Sequence, residues 1–244
     1  VNFSVEASEF DRLSSQGYKS NKTGVSVGTK FEYYDDLFLG ISLENFLEKV
    51  SVNDTASSRQ KKLAGNYFDS FLGLDFNYDK RNQRFATTDG SLTNYSISLP
   101  VFSETGTLKN SYNFKTFSEL YENNVTTASL LLKSSISIND EDIKLSERLF
   151  VPGNRLRGFE RGKVGPKDGA DFIGGNYLTA FNLTTSIPKL LENSQTMDFV
   201  AFFDAANVWG VDYDKSIDEK NDLRSSVGLG LNWMTPIGPL SFSY

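Results

Sequence analysis

Apolar and polar side chains alternate along most of the chain. The alternation is clearest near the end, where apolar Val227, Leu229, Leu231 and Trp233 are separated by Ser226, Gly228, Gly230 and Asn232. A period of two is typical of a β-strand whose two faces meet different surroundings. Such runs predict about eleven strands, and two of them, 110–120 and 198–208, carry apolar residues on both faces. No segment has the period of an amphipathic helix, so the sequence predicts an all-β protein.

The lengths of the strands and connections point toward a membrane. The predicted strands run about 9–11 residues, which a tilted strand needs to cross a bilayer core. Short connections such as 34–36 and 235–239 alternate with long ones such as 48–66 and 139–176, although 80–90 and 102–109 break the contrast in length. Outer-membrane barrels have short turns at one end and long loops at the other. We therefore predict a transmembrane antiparallel β-barrel, with a soluble β-sandwich as the alternative.

The two faces of the predicted strands differ in character. One face is aliphatic, and the other carries small or charged residues such as Gly28, Lys30, Gly40, Glu44, Gly73, Asp75, Gly228 and Gly230. In a membrane barrel the aliphatic face meets lipid and the polar face lines a wet lumen. Aromatic residues lie near the strand ends, as in interfacial girdles: Phe31, Tyr33, Phe76, Tyr78, Trp209, Trp233 and Tyr244.

Composition excludes several kinds of chemistry. The chain has no Cys and no His, which excludes a Ser-His-Asp triad, a thiolate nucleophile and an imidazole or thiolate metal site. A net charge of −6 argues against a general nucleic-acid binder. No run of about 18 apolar residues encodes a transmembrane helix. We expect no enzyme activity, no metal and no cofactor.

The connection 139–176 is basic in an acidic chain. Its cations are Arg155, Arg157, Arg161, Lys163 and Lys167. This segment is either a solvated surface loop or a loop folded back into the lumen, where an Arg binds a carboxylate of the wall. Asp204 is the candidate partner, because a carboxylate between Phe203 and Ala205 near mid-strand is costly facing lipid. The alternative places Asp204 at a strand end beside a turn.

Several segments resemble one known family. Leu156-Arg157-Gly158-Phe159, then Gly165-Pro166-Lys167 and Gly174-Gly175-Asn176, resemble the lumen-loop signature of BamA-type outer-membrane assembly factors. The relatives of that family include TamA, the two-partner secretion transporters and organelle homologues. Residues 85–91, 203–209 and 226–244 resemble further family segments in the same order, so the resemblance covers about residues 67–244. Residues 1–66 agree only in their strand pattern.

The resemblance implies that residues 1–244 are part of a sixteen-stranded barrel, with strands five to fifteen present. The POTRA domains, the first four strands and the last strand would lie outside this sequence, which fits the odd strand number, since a barrel in lipid must close.

The resemblance also implies a site. Arg157, Gly158 and Phe159 would hold the loop inside the lumen, and Gly165, Pro166 and Gly175 would support it. The family's Arg pairs with acidic wall residues, which points to Asp204. The second acidic position, counted from Gly175-Asn176, is Thr184 here. This departure weakens the expected two-carboxylate arrangement, although a hydroxyl can still accept a hydrogen bond.

The implied function is assembly. A protein of this family would fold and insert β-barrel proteins into the bacterial outer membrane, with unfolded barrel clients, BAM-type lipoproteins and the lipid bilayer as partners and no nucleic acid. A two-partner secretion or TamA-like translocation barrel is the alternative, followed by a passive porin.

Overall fold

The computed structural model describes residues 1–121, 124–139, 141–187, 197–211, 217, 222–235 and 238–244, with the side chains of 14, 15, 234 and 239 left out. The strands are β1 (Asn2–Arg12), β2 (Tyr18–Tyr34), β3 (Leu37–Val52), β4 (Gly65–Asp79), β5 (Gly90–Ser103), β6 (Thr107–Ser118), β7 (Thr126–Ser137), β8 (Lys167–Asp168), β9 (Asp171–Phe172), β10 (Tyr177–Ile187), β11 (Met197–Trp209), β12 (Arg224–Thr235) and β13 (Gly238–Ser243). The helical segments are α1 (Leu13–Gln16), α2 (Ser58–Lys62) and the 3-10 turns η1 (Leu145–Glu147) and η2 (Gly153–Arg155).

One antiparallel sheet of eleven strands forms the wall of the molecule. Its order follows the chain, β1 to β7 and then β10 to β13. The single interruption is the long connection between β7 and β10, which we call the lumen loop (residues 138–176) and which contains the small β8–β9 hairpin. The all-β prediction and the strand number are confirmed, and the runs 110–120 and 198–208 correspond to β6 and β11.

The strands of the first half are longer than the sequence pattern predicts. β2 has 17 residues and β3 has 16, whereas we expected about 9–11. The extra residues lie at the loop end, where polar Lys19 and Asn21 of β2 pair with Ser51 and Lys49 of β3. These four polar residues lie on the outer face, while Tyr18 and Val50 of the inner face are buried against the loop. The apolar outer face has ended here, so a pattern read as a lipid face misses this part of the strands.

Because the side chains alternate, the sheet has an apolar outer face and a polar inner face. The exposed apolar residues are those of the predicted lipid face, including Val25, Val27, Ile41, Leu43, Phe76, Leu132, Phe181, Phe203, Val227 and Leu229. The inner face carries the predicted Gly28, Lys30, Gly40 and Asp75, which line one cavity of about 340 Å³. The exposed apolar band therefore suits contact with lipid.

The buried core lies between the lumen loop and the wall. Val151, Leu156 and Val164 of the loop pack with wall residues Leu131, Leu178, Ala180, Ala206 and Val208. A second cluster joins Leu145 and Ile173 of the loop to Tyr18, Val50, Leu63 and Ile217. One loop can contact strands this far apart only because the sheet curls around it.

Two short helices lie in connections at the loop end. α2 begins with a capping box, in which Ser57 accepts from the Gln60 amide and the Gln60 side chain accepts from the Ser57 amide. None of the helices among the described residues is long and apolar enough to cross a membrane.

Candidate functional site

The lumen loop is folded back inside the curved sheet, as the second of the two hypotheses predicted. Its two limbs meet where Leu149 and Gly175 exchange backbone hydrogen bonds of 2.8 and 3.0 Å. Beyond this bridge the loop descends through η2 to Arg157 and returns through Pro166. Asn176 then ties the loop to the wall, since its carbonyl accepts from the Ser135 amide and its amide donates to the Gly210 carbonyl.

Arg157 binds Asp204 through three hydrogen bonds. Nε donates to Oδ2 at 2.7 Å, Nη2 donates to Oδ1 at 2.7 Å, and the Arg157 amide donates to Oδ2 at 3.0 Å. The Asp204 side chain is fully buried, while that of Arg157 is 23% exposed. This bidentate geometry is the strongest form of the Arg–carboxylate pair. Asp204 lies within β11 on the inner face, so it is not a strand-end residue at a turn.

Thr184 is the third member of the clamp, by which we mean Arg157, Asp204 and Thr184. Its hydroxyl accepts a hydrogen bond from Arg157 Nη2 at 3.3 Å. The resemblance implies a second carboxylate at this position. Phe202 lies beneath the guanidinium, with Cζ at 3.6 Å from the ring centroid. Arg157 thus contacts one carboxylate, one hydroxyl and one aromatic ring, and it has a single ionic partner among the described residues.

Arg155 extends the contact to two more strands, which the sequence did not predict. Its Nη1 donates to Ser129 at 2.7 Å and to Asn182 at 3.1 Å, and its Nη2 donates to Asn113 at 2.7 Å. Asn182 also donates to Asp204 at 2.8 Å. The loop tip is therefore hydrogen-bonded to β6, β7, β10 and β11. The side chains of Asn113, Ser129 and Asn182 give no sequence signal beyond their place on the polar face.

Gly158 and Phe159 only partly follow the expectation. Gly158 has φ +84°, which favours glycine, but a Cβ there would meet nothing within 4 Å, so close approach is not its constraint. Phe159, which the resemblance places among the residues that hold the loop, is 38% exposed. The buried apolar residue of the signature is Leu156, which joins the core with Val151 and Val164.

The three supporting residues lie on the returning limb. A Cβ on Gly175 would lie 2.5 Å from the Trp209 carbonyl oxygen, and one on Gly165 would lie 3.1 Å from Val208. Both glycines therefore let the loop backbone approach β11. Pro166 is buried and its carbonyl accepts from the Ile173 amide at 3.1 Å, which closes the β8–β9 hairpin.

A second anchor, which the sequence analysis missed, holds the descending limb. We define it as Lys144, Glu147, Glu48, Asp69 and Lys109. The fully buried Lys144 ammonium contacts Asp69, Glu48 at 3.2 Å and Glu147 at 3.6 Å. Lys109 of β6 binds Glu147 at 2.6 Å. The anchor thus joins the loop to β3, β4 and β6, far along the sheet from the clamp.

Wall hydroxyls complete this anchor. Ser20 donates to Glu48 at 2.5 Å and Ser103 donates to Asp69 at 2.5 Å. Burial lowers the pKa of Lys144, but the three surrounding carboxylates raise it by more than burial lowers it. The pKa of Lys144 therefore lies above its ordinary value. Burial raises the pKa of Glu147, and Lys109 and Lys144 together bring it below its ordinary value. Both groups are held in their charged forms.

Over the described ranges, no group of three or more acidic residues could hold a metal ion. Asp140 of the lumen loop and residues 236 and 237 of the segment 226–244 lie outside the described residues.

Comparison with known proteins identifies the family. The profile of the Omp85 superfamily domain matches residues 1–244. The chain belongs to the Omp85 superfamily.

Relatives of this Omp85 chain include two proteins named outer membrane protein assembly factor BamA. That of Nitratidesulfovibrio vulgaris is 24% identical over 86% of the chain and 27% of the relative, and that of Neorickettsia risticii is 22% identical over 91% and 31%. A SAM50-like protein of Schizosaccharomyces pombe is 24% identical over 86% of the chain and 48% of the relative. The chain thus spans less than half of these relatives.

A solved structure agrees with the fold. The crystal structure of BamA from Haemophilus ducreyi lacking POTRA domains 1–3 superimposes with a TM-score of 0.84 at 24% identity, over 98% of this chain and 53% of that one. Together with the family, this confirms a BamA-like β-barrel of the outer membrane.

Proposed function

We propose that this Omp85 barrel belongs to an outer-membrane protein assembly factor, which folds and inserts β-barrel proteins. The observation that carries the proposal is the lumen loop fixed to the inner wall by the Arg157–Asp204 pair, in a barrel related to proteins named for this assembly. Its partners would be unfolded barrel clients, BAM-type lipoproteins and the surrounding bilayer.

The physical work of such a protein is positioning, so no bond is made or broken. An incoming strand must satisfy its backbone groups as it enters lipid, and pairing with an existing sheet edge satisfies them. In this proposal the loop is a brace that keeps the curved wall in one shape while strands are added. The clamp at β10 and β11 and the second anchor at β3, β4 and β6 fix the two ends of that brace.

The test is reconstituted assembly. We would place the full-length protein in lipid vesicles, add a urea-denatured small barrel protein, and follow the appearance of its heat-modifiable folded form. Arg157→Ala should slow assembly at least about tenfold, while the exposed Arg161→Ala in the same loop serves as the matched control. Assembly at the wild-type rate in Arg157→Ala, with the variant folded, would contradict the brace.

Two alternatives give different results in the same vesicles. A translocation barrel would move one passenger across the bilayer without leaving it folded in the membrane. A passive porin would show a large steady conductance without any protein substrate. The lumen loop argues against the porin, since its residues fill part of the lumen and pack with the wall.

A further inference from the structure

Beside the clamp, the inner wall contains a cationic cavity of about 460 Å³. Lys115, Arg155 and Arg157 line it, and no carboxylate of the described residues does. Asp204 lies behind Arg157, fully buried and already bonded to it. Three cations and one carboxylate leave a local charge of about +2 in a chain whose net charge is −6.

Two of the three cations of this cavity, Lys115 and Arg155, form no ion pair within the described residues. Within the described part of the chain, the partners of Arg155 are three neutral side chains. Those bonds fix the direction of the guanidinium without an ion pair, and Asp204, which is already bonded to Arg157, is the carboxylate whose charge acts on it from further away. Lys115 lies directly across from Ser129 in the β6–β7 register and, in the same ranges, has neither a hydrogen bond nor an ion pair. Lys133 lies on the same inner face of β7, again without a carboxylate partner among the described residues.

The rest of the cavity is lined by neutral hydrogen-bonding groups. They come from β7, β10, β12 and β13 and include Thr127, Ser129, Thr184, Asn232, Ser241 and Ser243. Hydroxyls and amides of this kind bind backbone amide and carbonyl groups. The cavity lies on the inner face, opposite the exposed apolar band, so a lipid headgroup outside the wall does not face it.

We propose that this cavity is a binding site for an acidic segment of polypeptide, whose carboxylates contact Lys115 and Arg155 and whose backbone meets the neutral lining. A small anion such as phosphate satisfies the cations alone, whereas an acidic peptide matches both parts of the lining. That the bound segment belongs to a client under assembly rests on the proposed function. The site itself depends only on the arrangement of these side chains.

Binding of a defined peptide tests the site. The probe is a peptide of alternating Glu and Ser residues with a neutral dye, titrated with the full-length protein in detergent micelles and followed by fluorescence anisotropy. We expect Lys115→Gln to weaken binding at least about fivefold. Lys115→Arg should bind like the wild-type protein, since it keeps the positive charge at this position. Lys30→Gln is the matched control, because Lys30 faces the lumen at a different cavity. Binding should weaken with added salt.

Several results would overturn the site. These are unchanged affinity in Lys115→Gln, an equal loss in Lys30→Gln, or equally tight binding of a Gln–Ser peptide. Binding of inorganic phosphate that the acidic peptide does not displace would overturn the polypeptide occupant. Because the assay contains no assembly reaction, peptide binding without client assembly would contradict the proposed function alone. Client assembly without peptide binding would contradict this site alone.

Discussion

Arg157 and Asp204 differ in their access to water, and this difference decides what each substitution does. Asp204 is fully buried, whereas the Arg157 side chain is 23% exposed. Removing Arg157 leaves the buried carboxylate with Asn182 as its side-chain donor among the described residues. An unpaired buried charge is strongly destabilising, more so than the loss of the pair as a whole. The clamp is therefore asymmetric, and Arg157 is its more sensitive member.

This asymmetry gives a prediction for a double variant. Arg157→Ala/Asp204→Asn should be more stable than Arg157→Ala alone, by about 1–2 kcal/mol, because the second change removes the stranded charge. Urea unfolding in lipid vesicles, followed by the fluorescence of Trp209 and Trp233, measures both midpoints. If the double variant is the less stable one, the Asp204 carboxylate stabilises the fold through partners other than Arg157.

Gly175 makes a second prediction at the residue scale. A Cβ there would lie 2.5 Å from the Trp209 carbonyl oxygen and 2.8 Å from Val208 Cγ1, and the backbone oxygen cannot move without disturbing β11. Gly175→Ala should destabilise the protein by about 1–3 kcal/mol. Gly153→Ala is the control, since its Cβ would meet only Arg161 atoms at 3.9 Å. Equal unfolding midpoints for the two variants would show that the loop can withdraw from β11.

At the scale of elements, the lumen loop is held at two separate places by different chemistry. The clamp rests on a guanidinium with bidentate geometry. The second anchor rests on a buried ammonium surrounded by carboxylates. The anchor contains two groups whose pKa values are shifted by their neighbours, Lys144 and Glu147. The hold of this anchor on the loop should therefore depend on pH.

Glu147 is one acid-sensitive group of the anchor. Its pKa lies below the ordinary value of 4.5, because Lys109 and Lys144 outweigh its burial. The stabilisation that goes with this lowered pKa is complete above pH 4.5, and it is lost as the pH falls through the lowered pKa. For Lys144 the pKa is raised above 10.5, so its contribution is complete below 10.5 and is lost only above that pKa. The contributions of Glu147 and Lys144 are thus both expected to be complete from pH 5 to pH 10.

A spin label measures this range. Residues 1–244 contain no Cys, so Glu160→Cys gives a single labelling site among them, on an exposed part of the loop. The label should keep constant mobility from pH 7 to pH 5 and become more mobile below about pH 4.5. Adding Glu147→Gln should increase mobility at pH 7 and remove the acidic transition. A transition that survives Glu147→Gln would belong to another group.

The loop also shows where prediction from sequence ends. Arg157 with Asp204 was predictable, because the signature resembles a known family and a mid-strand carboxylate has few tolerable environments. Lys144 was not, although Glu48 and Asp69 lie on the polar face of their strands. Which cation enters between two wall carboxylates depends on the path of a long loop. No local pattern encodes that path, since its contacts join residues 75 and 96 positions apart.

At the scale of the whole molecule, most of the fold could be predicted from the period of two in the sequence. It predicted the strand number and the two faces correctly, because each strand must satisfy lipid on one side and a wet lumen on the other. It failed at the loop end of β2 and β3, where the outer face becomes polar and the apolar residues Tyr18 and Val50 lie on the inner face. The alternation pattern therefore predicts the membrane-facing band better than it predicts where the strands end.

The assignment of faces makes the last prediction, at two adjacent residues of β3. Ile41 is 46% exposed on the apolar outer face, and Ser42 points into the lumen beside Asp75 and Gly73. Ile41→Arg should destabilise the barrel in lipid vesicles by about 2–4 kcal/mol, because the charge must enter hydrocarbon. Ser42→Arg should cost less than about 1 kcal/mol, since its guanidinium reaches water and the Asp75 carboxylate. Urea titrations in vesicles compare the two, and a reversed order would place the lipid on the other face of this sheet.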